Sequence, residues 1–445
     1  MKVIKFGGTS VGSAEMIDRT LDIAESMLND APLLVASAMS KTTDALVLIT
    51  STASSGDEAK SVEILDGIKQ NHLSTAKALL QGDLLDQTLQ RLDAYFSEIS
   101  SLIKGLSLLR ECTPRSSDAI LSFGELLSTT LIAARARGRG IDAELFDSRD
   151  FVRTDDAFTA ASPLMEETAK LTREVVHPRP GKLCIAQGFI GRTQSGVTST
   201  LGRGGSDFSA TIIGSALEAD EVIIWTDVNG IMTSDPRVVP EAKTISTISY
   251  NEAAELAYFG AKVVHPSTIQ PAVEKGIPVW VKNTRDPNGK GTRIVAAAEG
   301  TGLRALAGKR DITLIHVSST RMLNAYGFLS RIFSIFETNK TPVDLIATSE
   351  VSVSMSIDNT RSLKTIITEL EEIGTVDVEG DLSIICLVGQ DLWKDSSFIA
   401  RVFGALKDIP IRMISLGSSD INLSLVVPVK MMDTAIRELH GEFFD

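Results

Sequence analysis

Two glycine-rich turns, each with a basic residue, are the segments of this chain best suited to bind an anion. The first, residues 2–13, reads Lys-Val-Ile-Lys-Phe-Gly-Gly-Thr-Ser-Val-Gly-Ser, in which an apolar strand breaks at paired glycines and runs into a helix. Gly7 and Gly8 allow close backbone approach to a phosphate, which helix N–H groups and the Lys5 ammonium would face. A tight strand-to-helix turn also needs glycine for steric reasons, so a purely structural interpretation stays open here.

The second turn, residues 196–208, reads Gly-Val-Thr-Ser-Thr-Leu-Gly-Arg-Gly-Gly-Ser-Asp-Phe: a threonine-rich strand, glycines, and then a helix over about 206–217. Arg203 can bind a carboxylate or a phosphate through two parallel hydrogen bonds. Ser206 or Asp207 is expected to cap the N-terminus of the helix. Capping explains a serine or an aspartate but not an arginine among three glycines. The loop is therefore predicted to bind a ligand.

The elements that must position these turns follow an α/β pattern. Residues 32–38 form a short apolar strand that ends in a polar loop, and residues 58–110 have the apolar spacing of helices. Residues 183–191 and the segment from 221 indicate buried strands of a mainly parallel sheet. In such sheets ligands bind beyond the carboxyl ends of the strands, so the turns are expected to meet at one edge.

Four further polar or flexible residues lie at or after a strand end. Thr226, Asp227, Met232 and Arg237 follow the strand from 221. A nucleotide needs strand-end polar groups and a guanidinium near its phosphates and ribose, which favours a nucleotide site. An ordinary turn at Asp235-Pro236-Arg237 is the alternative.

Two charged residues lie on or beside predicted helices. Glu125 has apolar neighbours on the helix that opens near Asp118, and a strongly helical segment, 252–261, leads to Lys262. The Glu125 carboxylate either lies on an exposed helix face or accepts a hydrogen bond from a ligand ammonium. The residues alone leave both interpretations open.

Composition excludes several classes of protein. With 445 residues and 43% hydrophobic residues, the chain can bury two or three cores. Its formal charge is −13 with dispersed lysines and arginines, which argues against nucleic acid or an anionic membrane as partner. No apolar run reaches the ~18 residues of a membrane span, and no signal-peptide pattern follows Met1. A cytoplasmic location is expected.

Cysteine and histidine give no sign of a resident metal. The three cysteines lie far apart in apolar stretches, as expected of buried free thiols, and the five histidines lack the spacing of a zinc site. Any metal is expected to arrive with a nucleotide.

The last third of the chain contains an internal duplication. Phe-Leu-Ser-Arg-Ile-Phe at 328–333 and Phe-Ile-Ala-Arg-Val-Phe at 398–403 have the same helical pattern, and apolar strands precede and follow each. The pattern predicts two small β-α-β-β units. Such a pair either contributes packing alone or binds a small regulatory ligand.

The motifs together resemble those of the aspartokinase family over nearly the whole chain. They are Lys-Phe-Gly-Gly-Thr-Ser-Val at 5–11, Phe-Gly-Glu-Leu at 123–126, Gln-Gly-Phe-Ile-Gly at 187–191, Thr-Leu-Gly-Arg-Gly-Gly-Ser-Asp at 200–207, Trp-Thr-Asp-Val-Asn-Gly-Ile at 225–231 and Phe-Gly-Ala-Lys-Val-Val-His-Pro at 259–266. The resemblance implies an α/β amino-acid-kinase fold, a mainly parallel sheet sandwiched by helices, followed by two ferredoxin-like α+β ACT domains. The predicted domains are 1–300 (kinase), 301–380 (first ACT) and 381–445 (second ACT), with possible strand exchange between the ACT units.

The resemblance also implies the reaction and its residues. The γ-phosphoryl of MgATP would pass to the side-chain carboxylate of L-aspartate, giving 4-phospho-L-aspartate for lysine, threonine, methionine and diaminopimelate synthesis. That carboxylate is ionised at neutral pH, so no general base is needed. The implied roles are phosphate neutralisation by Lys5 and Lys262, oriented by Asp207; substrate contacts from Ser37, Thr43, Glu125, Phe189, Gly191, Arg203 and Ser206; and nucleotide contacts from Gly7, Gly8, Thr226, Asp227, Met232 and Arg237.

Regulation and assembly follow from the same resemblance. The implied effector is lysine, with threonine or no effector as alternatives, and the implied assembly is a homodimer through the ACT domains. The implied effector-binding residues are Met322, Ala325, Gly327, Phe328, Leu329, Val343, Asp344, Thr348, Ser349 and Glu350. Two rival functions stay open: another amino-acid kinase of the same fold, and a catalytically inactive ACT amino-acid sensor.

Overall fold

The computed structural model of the chain describes residues 1–261, 263–322, 326–417 and 419–444. These residues pack into two compact units. The first unit comprises Met1–Ile231 and Val263–Ala297, and the second comprises Met232–Lys262 and Ala298–Asp445. The units are defined by packing alone, so the domain boundaries predicted at residues 300 and 380 stay predictions.

Strands and helices of the described residues are numbered in chain order. The strands are β1 Lys2–Phe6, β2 Leu33–Ala36, β3 Ala143–Phe146, β4 Arg153–Thr154, β5 Leu183–Gln187, β6 Ile190–Thr193, β7 Thr198–Thr200, β8 Glu221–Thr226, β9 Thr247–Ser249, β10 Val279–Asn283, β11 Thr292–Val295, β12 Gly302–Ser318, β13 Ile346–Thr348, β14 Ser352–Ile357, β15 Thr375–Gln390, β16 Met413–Leu416 and β17 Asn422–Pro428. The helices are α1 Ala14–Ser26, α2 Thr42–Ser54, α3 Glu58–Leu79, α4 Gly82–Leu109, α5 Pro114–Leu121, α6 Phe123–Gly138, α7 Met165–Val175, α8 Gly205–Ala216, α9 Tyr250–Tyr258, α10 Pro266–Glu274, α11 Phe328–Thr338, α12 Leu363–Glu371, α13 Ser396–Ala405 and α14 Met432–Phe444.

The first unit is built around a mainly parallel sheet, which confirms the predicted α/β class. Its strands follow the order β3-β5-β2-β1-β8-β10-β11, parallel except for the antiparallel pairing of β10 with β11. Strands β2 and β5 are buried along their whole length, as their unbroken apolar runs predict. Strand β1 lies between β2 and β8, so the first glycine turn leaves the middle of the sheet.

Long helices cover this sheet. The helical prediction for 58–110 is confirmed by α3 and α4, which are separated only at residues 80 and 81. Leu92, Phe96 and Ile99, spaced three or four residues apart, are buried in the core as an amphipathic pattern requires.

The stretch Pro114–Gly138, which includes α5 and α6, is long and apolar enough to cross a membrane by length and composition. However, 89% of its most apolar window is buried within the protein. Helix α6 is apolar because it lies in the core of the first unit, where Leu127, Leu131 and Ile132 have no exposed surface.

The second unit contains an antiparallel sheet in the order β13-β14-β12-β15-β17-β16. The helices predicted at 328 and 398 are confirmed as α11 and α13. Helices α11 and α12 pack in one core around Ile332 and Val353, and α13 and α14 pack in another around Val402 and Leu425. The duplication predicted from the repeated helical pattern is therefore visible as two half-sheets, each with its own helices.

The two central strands pass through both halves. Gly302–Lys309 of β12 pairs with Ile384–Gln390 of β15, and Ile312–Ser318 pairs with Thr375–Leu382 after a register shift. Both strands bend where an aspartate has a positive φ, 60° at Asp311 and 55° at Asp381. Each repeat thus contains part of a strand that begins or ends in the other repeat.

Candidate functional site

A cleft of about 660 Å³ in the first unit brings together most of the residues predicted for the active site. It lies at the carboxyl ends of β1 and β2 and at the N-terminus of α8. The glycine turns from residues 5 and 203 face the same space, as the predicted chemistry requires. The predicted residues that line the cleft are Lys5, Gly8, Ser37, Thr43, Glu125, Phe189, Arg203, Ser206 and Asp207.

Lys5 lies near the end of β1 with its ammonium 2.6 Å from the Oδ1 atom of Asp207. Only 10% of the Lys5 side chain and 15% of the Asp207 side chain are exposed, so this ion pair is largely shielded from solvent. Shielding strengthens an electrostatic interaction. Asp207 therefore holds the ammonium in a fixed direction, while the remaining N–H groups of that ammonium can bind an anion.

Helix α8 begins at Gly205, and its cap residue Gly204 has a φ of 72° and no side-chain capping bond. The expectation that Ser206 or Asp207 caps this helix was wrong, because both residues lie inside its first turn. Their side chains instead line the cleft. The backbone here is tightly packed: a Cβ on Gly205 would lie 2.7 Å from the Phe189 ring. The turn thus needs glycine because neighbouring residues approach it closely.

Glu125 is buried, with 2% of its surface exposed, and lies on the first turn of α6. Its Oε1 atom accepts a hydrogen bond from the Ala38 N–H at 3.1 Å, whereas its Oε2 atom has no partner. Burial raises the pKa of Glu125 from 4.5 to about 8, although the Ala38 N–H and the Lys5 charge act to lower it. Of the two interpretations left open by the sequence, the exposed helix face is excluded.

Arg203 is exposed in the loop between Gly202 and Gly204, both of which have a φ of 72°. Among the hydrogen bonds and ion pairs of the described residues, none involves its guanidinium. Arg203 nevertheless lines the cleft. The glycines let the loop turn sharply on both sides of the arginine, which leaves a guanidinium free to bind an anionic ligand.

Sequence reasoning missed other cleft residues. Lys41 lines the cleft with a φ of 64°, and Thr159 lines it with a φ of 73°. Thr159 and Thr200 are held by the buried carboxylate of Asp118, which lies on α5. The polar loop after β2 could have indicated Lys41. No local pattern could have indicated Thr159, because Asp118 lies 41 residues away in sequence.

Some predicted residues lie outside the cleft lining. Gly191 is packed in β6 against Val152 and Thr154. Thr226 ends β8 and donates a hydrogen bond to Asp227 at 3.2 Å. The Gly7 N–H donates to the Trp225 carbonyl, which fixes the first turn.

Two other residues predicted to contact the nucleotide, Met232 and Arg237, lie in the second unit. Met232 forms an isolated bridge with Thr244. Arg237 is exposed and forms an ion pair with Asp235 at 2.6 Å. Lys262 lies outside the described residues.

Asp344, one of the predicted effector residues, lies in the second unit. The Asp344 side chain has no exposed surface, and its Oδ1 atom accepts hydrogen bonds from Lys309, at 2.9 Å, and from the Tyr258 hydroxyl. Lys309 also forms an ion pair with Asp358 at 2.9 Å and lies over the Tyr258 ring. Burial and Asp344 raise the pKa of Tyr258. The Oδ2 atom of Asp344 has no hydrogen-bond partner.

The other predicted effector residues that the structure describes belong to two segments, one leading into α11 and one that includes the end of β13. Gly327 caps α11 with a φ of 76°, Phe328 is buried and Leu329 is 40% exposed. Ala325 lies outside the described residues. Met322 lies in a short 3₁₀ turn, Val343 is half-buried, and Thr348, Ser349 and Glu350 are exposed.

Two family models match the chain. Residues 1–283 match the amino acid kinase family, and residues 385–443 match the ACT domain. The first match covers well over half of the chain.

Curated relatives match along the full length. Lysine-sensitive aspartokinase 3 of Escherichia coli is 39% identical, covering 100% of this chain and 99% of the relative. Chloroplastic aspartokinase 1 of Arabidopsis thaliana is 37% identical, covering 100% of this chain and 80% of the relative.

Solved structures agree with these matches. E. coli aspartokinase III in complex with aspartate and ADP, described as the R-state, has a TM-score of 0.82 at 37% identity, with full coverage of both chains. The same enzyme in complex with lysine and aspartate, described as the T-state, also has a TM-score of 0.82 at 37% identity and full coverage.

Proposed function

The chain belongs to the aspartokinases, ATP-dependent kinases that act on aspartate within the amino acid kinase family, and we propose that phosphoryl transfer takes place in the cleft of its first unit. The enzyme transfers the γ-phosphoryl of ATP to the side-chain carboxylate of L-aspartate. The product is 4-phospho-L-aspartate, and the reaction is the first step of lysine, threonine and methionine biosynthesis.

One observation carries this proposal: Lys5, Glu125 and Arg203, from three distant segments, share one cleft. We assign the substrate α-carboxylate to Arg203 and the α-ammonium to the unpaired Oε2 atom of Glu125. An amino acid held at both of these groups can direct its side chain toward Lys5. Ser37, Thr43, Phe189, Gly191 and Ser206 are proposed to shape the remaining aspartate pocket.

The residues of the cleft then perform the chemistry by neutralising and orienting charge. The attacking side-chain carboxylate is already ionised at neutral pH, so it needs no general base. Lys5, oriented by Asp207 at 2.6 Å, would neutralise the phosphoryl oxygens as charge develops during transfer. Lys262 is proposed for the same task. The backbone at Gly7 and Gly8 would support the phosphate chain.

ATP and its magnesium ion complete the proposed site. Thr226, Asp227, Met232 and Arg237 are proposed to border the nucleotide. No group of three or more His, Cys, Asp or Glu side chains in the described residues is arranged to hold a metal ion. Mg²⁺ is proposed to be carried by ATP, bound to its phosphate oxygens. The bound ion would add positive charge at the β- and γ-phosphate oxygens.

We further propose that lysine inhibits the enzyme through the second unit. The E. coli relative is named lysine-sensitive, and its T-state structure contains lysine. The Asp344 and Glu350 carboxylates suit an effector ammonium, and the N–H groups of Gly327 to Leu329, at the start of α11, suit its carboxylate. Met322, Ala325, Val343, Thr348 and Ser349 are proposed to complete this effector site.

The finer domain and assembly predictions are kept as proposals. We propose the kinase domain at 1–300, the ACT domains at 301–380 and 381–445, and a homodimer through the ACT domains. Light scattering of the purified chain tests the dimer, which a monomeric mass would contradict. The cytoplasmic location stays a prediction.

The function is tested by a coupled assay that measures ADP release from ATP in the presence of L-aspartate. Glutamate, N-acetylglutamate and carbamate are the alternative substrates. We expect turnover with aspartate and formation of a hydroxamate in the presence of hydroxylamine. Turnover with glutamate instead would favour a related amino-acid kinase. Lysine binding in calorimetry without ADP release would favour an inactive sensor. Repeating the assay with added lysine and threonine identifies the effector.

A further inference from the structure

The geometry points to Asp118 as a positioning residue for aspartate recognition. We propose that its buried carboxylate fixes the loop that carries Arg203 relative to Glu125. Nothing in the comparisons assigns a role to Asp118, and the inference rests on the proposed roles of Arg203 and Glu125 as the groups that bind the amino acid.

Asp118 is buried with no exposed surface, and four hydrogen bonds reach its carboxylate. The Thr159 N–H donates to both oxygens, at 3.1 Å and 3.0 Å. The Thr200 N–H donates to Oδ2 at 2.9 Å, and the Thr200 hydroxyl donates to Oδ1 at 2.8 Å. Among the ion pairs of the described residues, none involves Asp118. The buried carboxylate is thus stabilised by the two threonines that it holds.

Both threonines belong to the wall of the cleft. Thr200 is the last residue of β7 and precedes Arg203 by three positions. The Thr159 carbonyl would lie only 3.1 Å from a Cβ on Gly202, so the segment at Thr159 packs directly against the arginine loop. Asp118 therefore restrains this loop from its start and from its side.

Asp118 is also connected to the second recognition group. Helix α5 carries Asp118, and α6, which follows after Ser122 alone, carries Glu125 on its first turn. The same helical pair therefore holds Glu125 directly and the Arg203 loop through hydrogen bonds. A rigid separation between the two groups matters, because an amino acid must contact both at once.

The energetics explain why a carboxylate is required here. Each Asp118 oxygen accepts from two donors, so an amide in its place would direct its NH₂ group at N–H or O–H donors. Hydrogen bonds to a charged group are stronger than those between neutral groups, and loss of one or two of them would free the loop. Arg203 would then bind the substrate less often in the correct position.

The test is Asp118→Asn in the full-length enzyme, with steady-state kinetics for aspartate and for ATP. We expect the KM for aspartate to rise about 10–100-fold. The kcat at saturating aspartate and the KM for ATP should change less than about threefold, since among the hydrogen bonds and ion pairs of the described residues none joins Asp118 to Lys5 or Asp207. The control is Asp147→Asn, whose carboxylate pairs with Arg149 away from the cleft.

A second pair of variants keeps the inference testable if Asp118→Asn does not fold. Thr200→Val removes one hydroxyl donor to Asp118, and Thr200→Ser retains it. We expect the KM for aspartate to rise about 3–10-fold in Thr200→Val and to return to near the unmodified value in Thr200→Ser. A purely structural role would lower thermal stability without this split between the two variants.

Three outcomes would overturn the inference. They are an unchanged KM for aspartate in folded Asp118→Asn, an equal fall of kcat and rise of both KM values, and identical kinetics of the two Thr200 variants. Failure of the proposed function is a separate result, because the unmodified enzyme would then show no aspartate-dependent ADP release at all.

Discussion

Glu125 in the first unit and Asp344 in the second are both buried carboxylates with one oxygen that has no hydrogen-bond partner. They differ in what balances the charge. Among the described residues no cation forms an ion pair with Glu125, and its pKa is raised to about 8. Asp344, in contrast, contacts the ammonium of Lys309 at 2.9 Å. Among the described residues Glu125 lacks a paired cation, which a ligand could supply, whereas Asp344 already has one.

This difference indicates two kinds of recognition. A substrate ammonium that enters the cleft can bind the ionised Glu125 carboxylate without displacing a side-chain cation from it. An effector ammonium that approaches Asp344 must displace Lys309 or use the remaining oxygen. We therefore expect the catalytic pocket to be preorganised, and the effector pocket to exchange an internal cation for an external one.

If the cleft is a preorganised pocket, its cations must bind the ligand rather than only stabilise the fold. Lys5→Met should lower kcat about 10²–10³-fold, because a preorganised charge on the transferring phosphoryl is lost. Coupled ADP release at saturating substrates measures this effect. The matched control is Lys2→Met in the same strand, whose ammonium pairs with Asp30 and Glu221. Equal losses in both variants would contradict the assigned role of Lys5.

The free guanidinium of Arg203 gives the second test. Arg203→Ala should raise the KM for aspartate about 10²-fold and leave the KM for ATP nearly unchanged, since a bidentate contact to the α-carboxylate is lost. Arg115→Ala serves as the control, because Arg115 is an exposed arginine of the same unit that does not line the cleft. A larger effect on ATP than on aspartate would show that Arg203 binds phosphate instead.

The third test uses the raised pKa of Glu125. Because the pKa of Glu125 is about 8, its carboxyl is mostly protonated at lower pH when no ligand is bound, and a protonated carboxyl pairs poorly with an ammonium. The KM for aspartate should therefore fall about tenfold as the pH rises from 7 to 9. Glu125→Gln should raise this KM about 10–100-fold and remove the pH dependence. An unmodified enzyme with a flat profile would contradict the assignment of the ammonium to Glu125.

The same pKa has a consequence for stability that serves as a control. Because folding raises the pKa of Glu125 from 4.5, the folded state binds this proton more tightly than the unfolded state. The stability that the group contributes is complete below pH 4.5 and is lost as the pH rises through about 8. In thermal melting without ligands, Glu125→Gln should therefore have a higher melting temperature than the unmodified protein at pH 9. The difference should be smaller at pH 6.

The fourth prediction, with the smallest expected effect, concerns Asp344, which already pairs with Lys309. Lys309→Met should lower the lysine concentration that gives half-inhibition about 5–10-fold, because the internal competitor for Asp344 is removed. Lys407→Met, an exposed lysine of the same unit, should leave it unchanged. Inhibition curves of the folded variants at increasing lysine concentration measure this change. A higher half-inhibition concentration in Lys309→Met would mean that Lys309 supports the effector site.

Features that depend on local structure could be predicted from the sequence. The glycine turns after Lys5 and around Arg203 were predictable because tight turns need glycine within a few positions, whereas the roles of their residues in binding stay predictions. The α/β class followed from apolar strands separated by helical segments, and the duplication followed from a repeated helix. These signals lie within single elements, so folding does not alter them.

What the sequence did not predict depends on contacts between distant segments. The hydrogen bonds of Asp118 reach 41 and 82 residues along the chain, and Lys309 lies 35 residues from Asp344. The packing of residues 232–262 with the second unit also had no local signal. The cap of α8 was wrong for a different reason: Gly204, with its positive φ, ends the loop before Ser206 is reached.

The long strands β12 and β15 limit how the second unit can be divided into smaller fragments. A fragment that starts after residue 381 would lack Gly302–Lys309, and its own strand would become an open edge beside Leu387. Removal of the second repeat would strip the first half of β12 in the same way. The two repeats are consequently expected to melt together in a single cooperative transition, because neither keeps a complete sheet without the other.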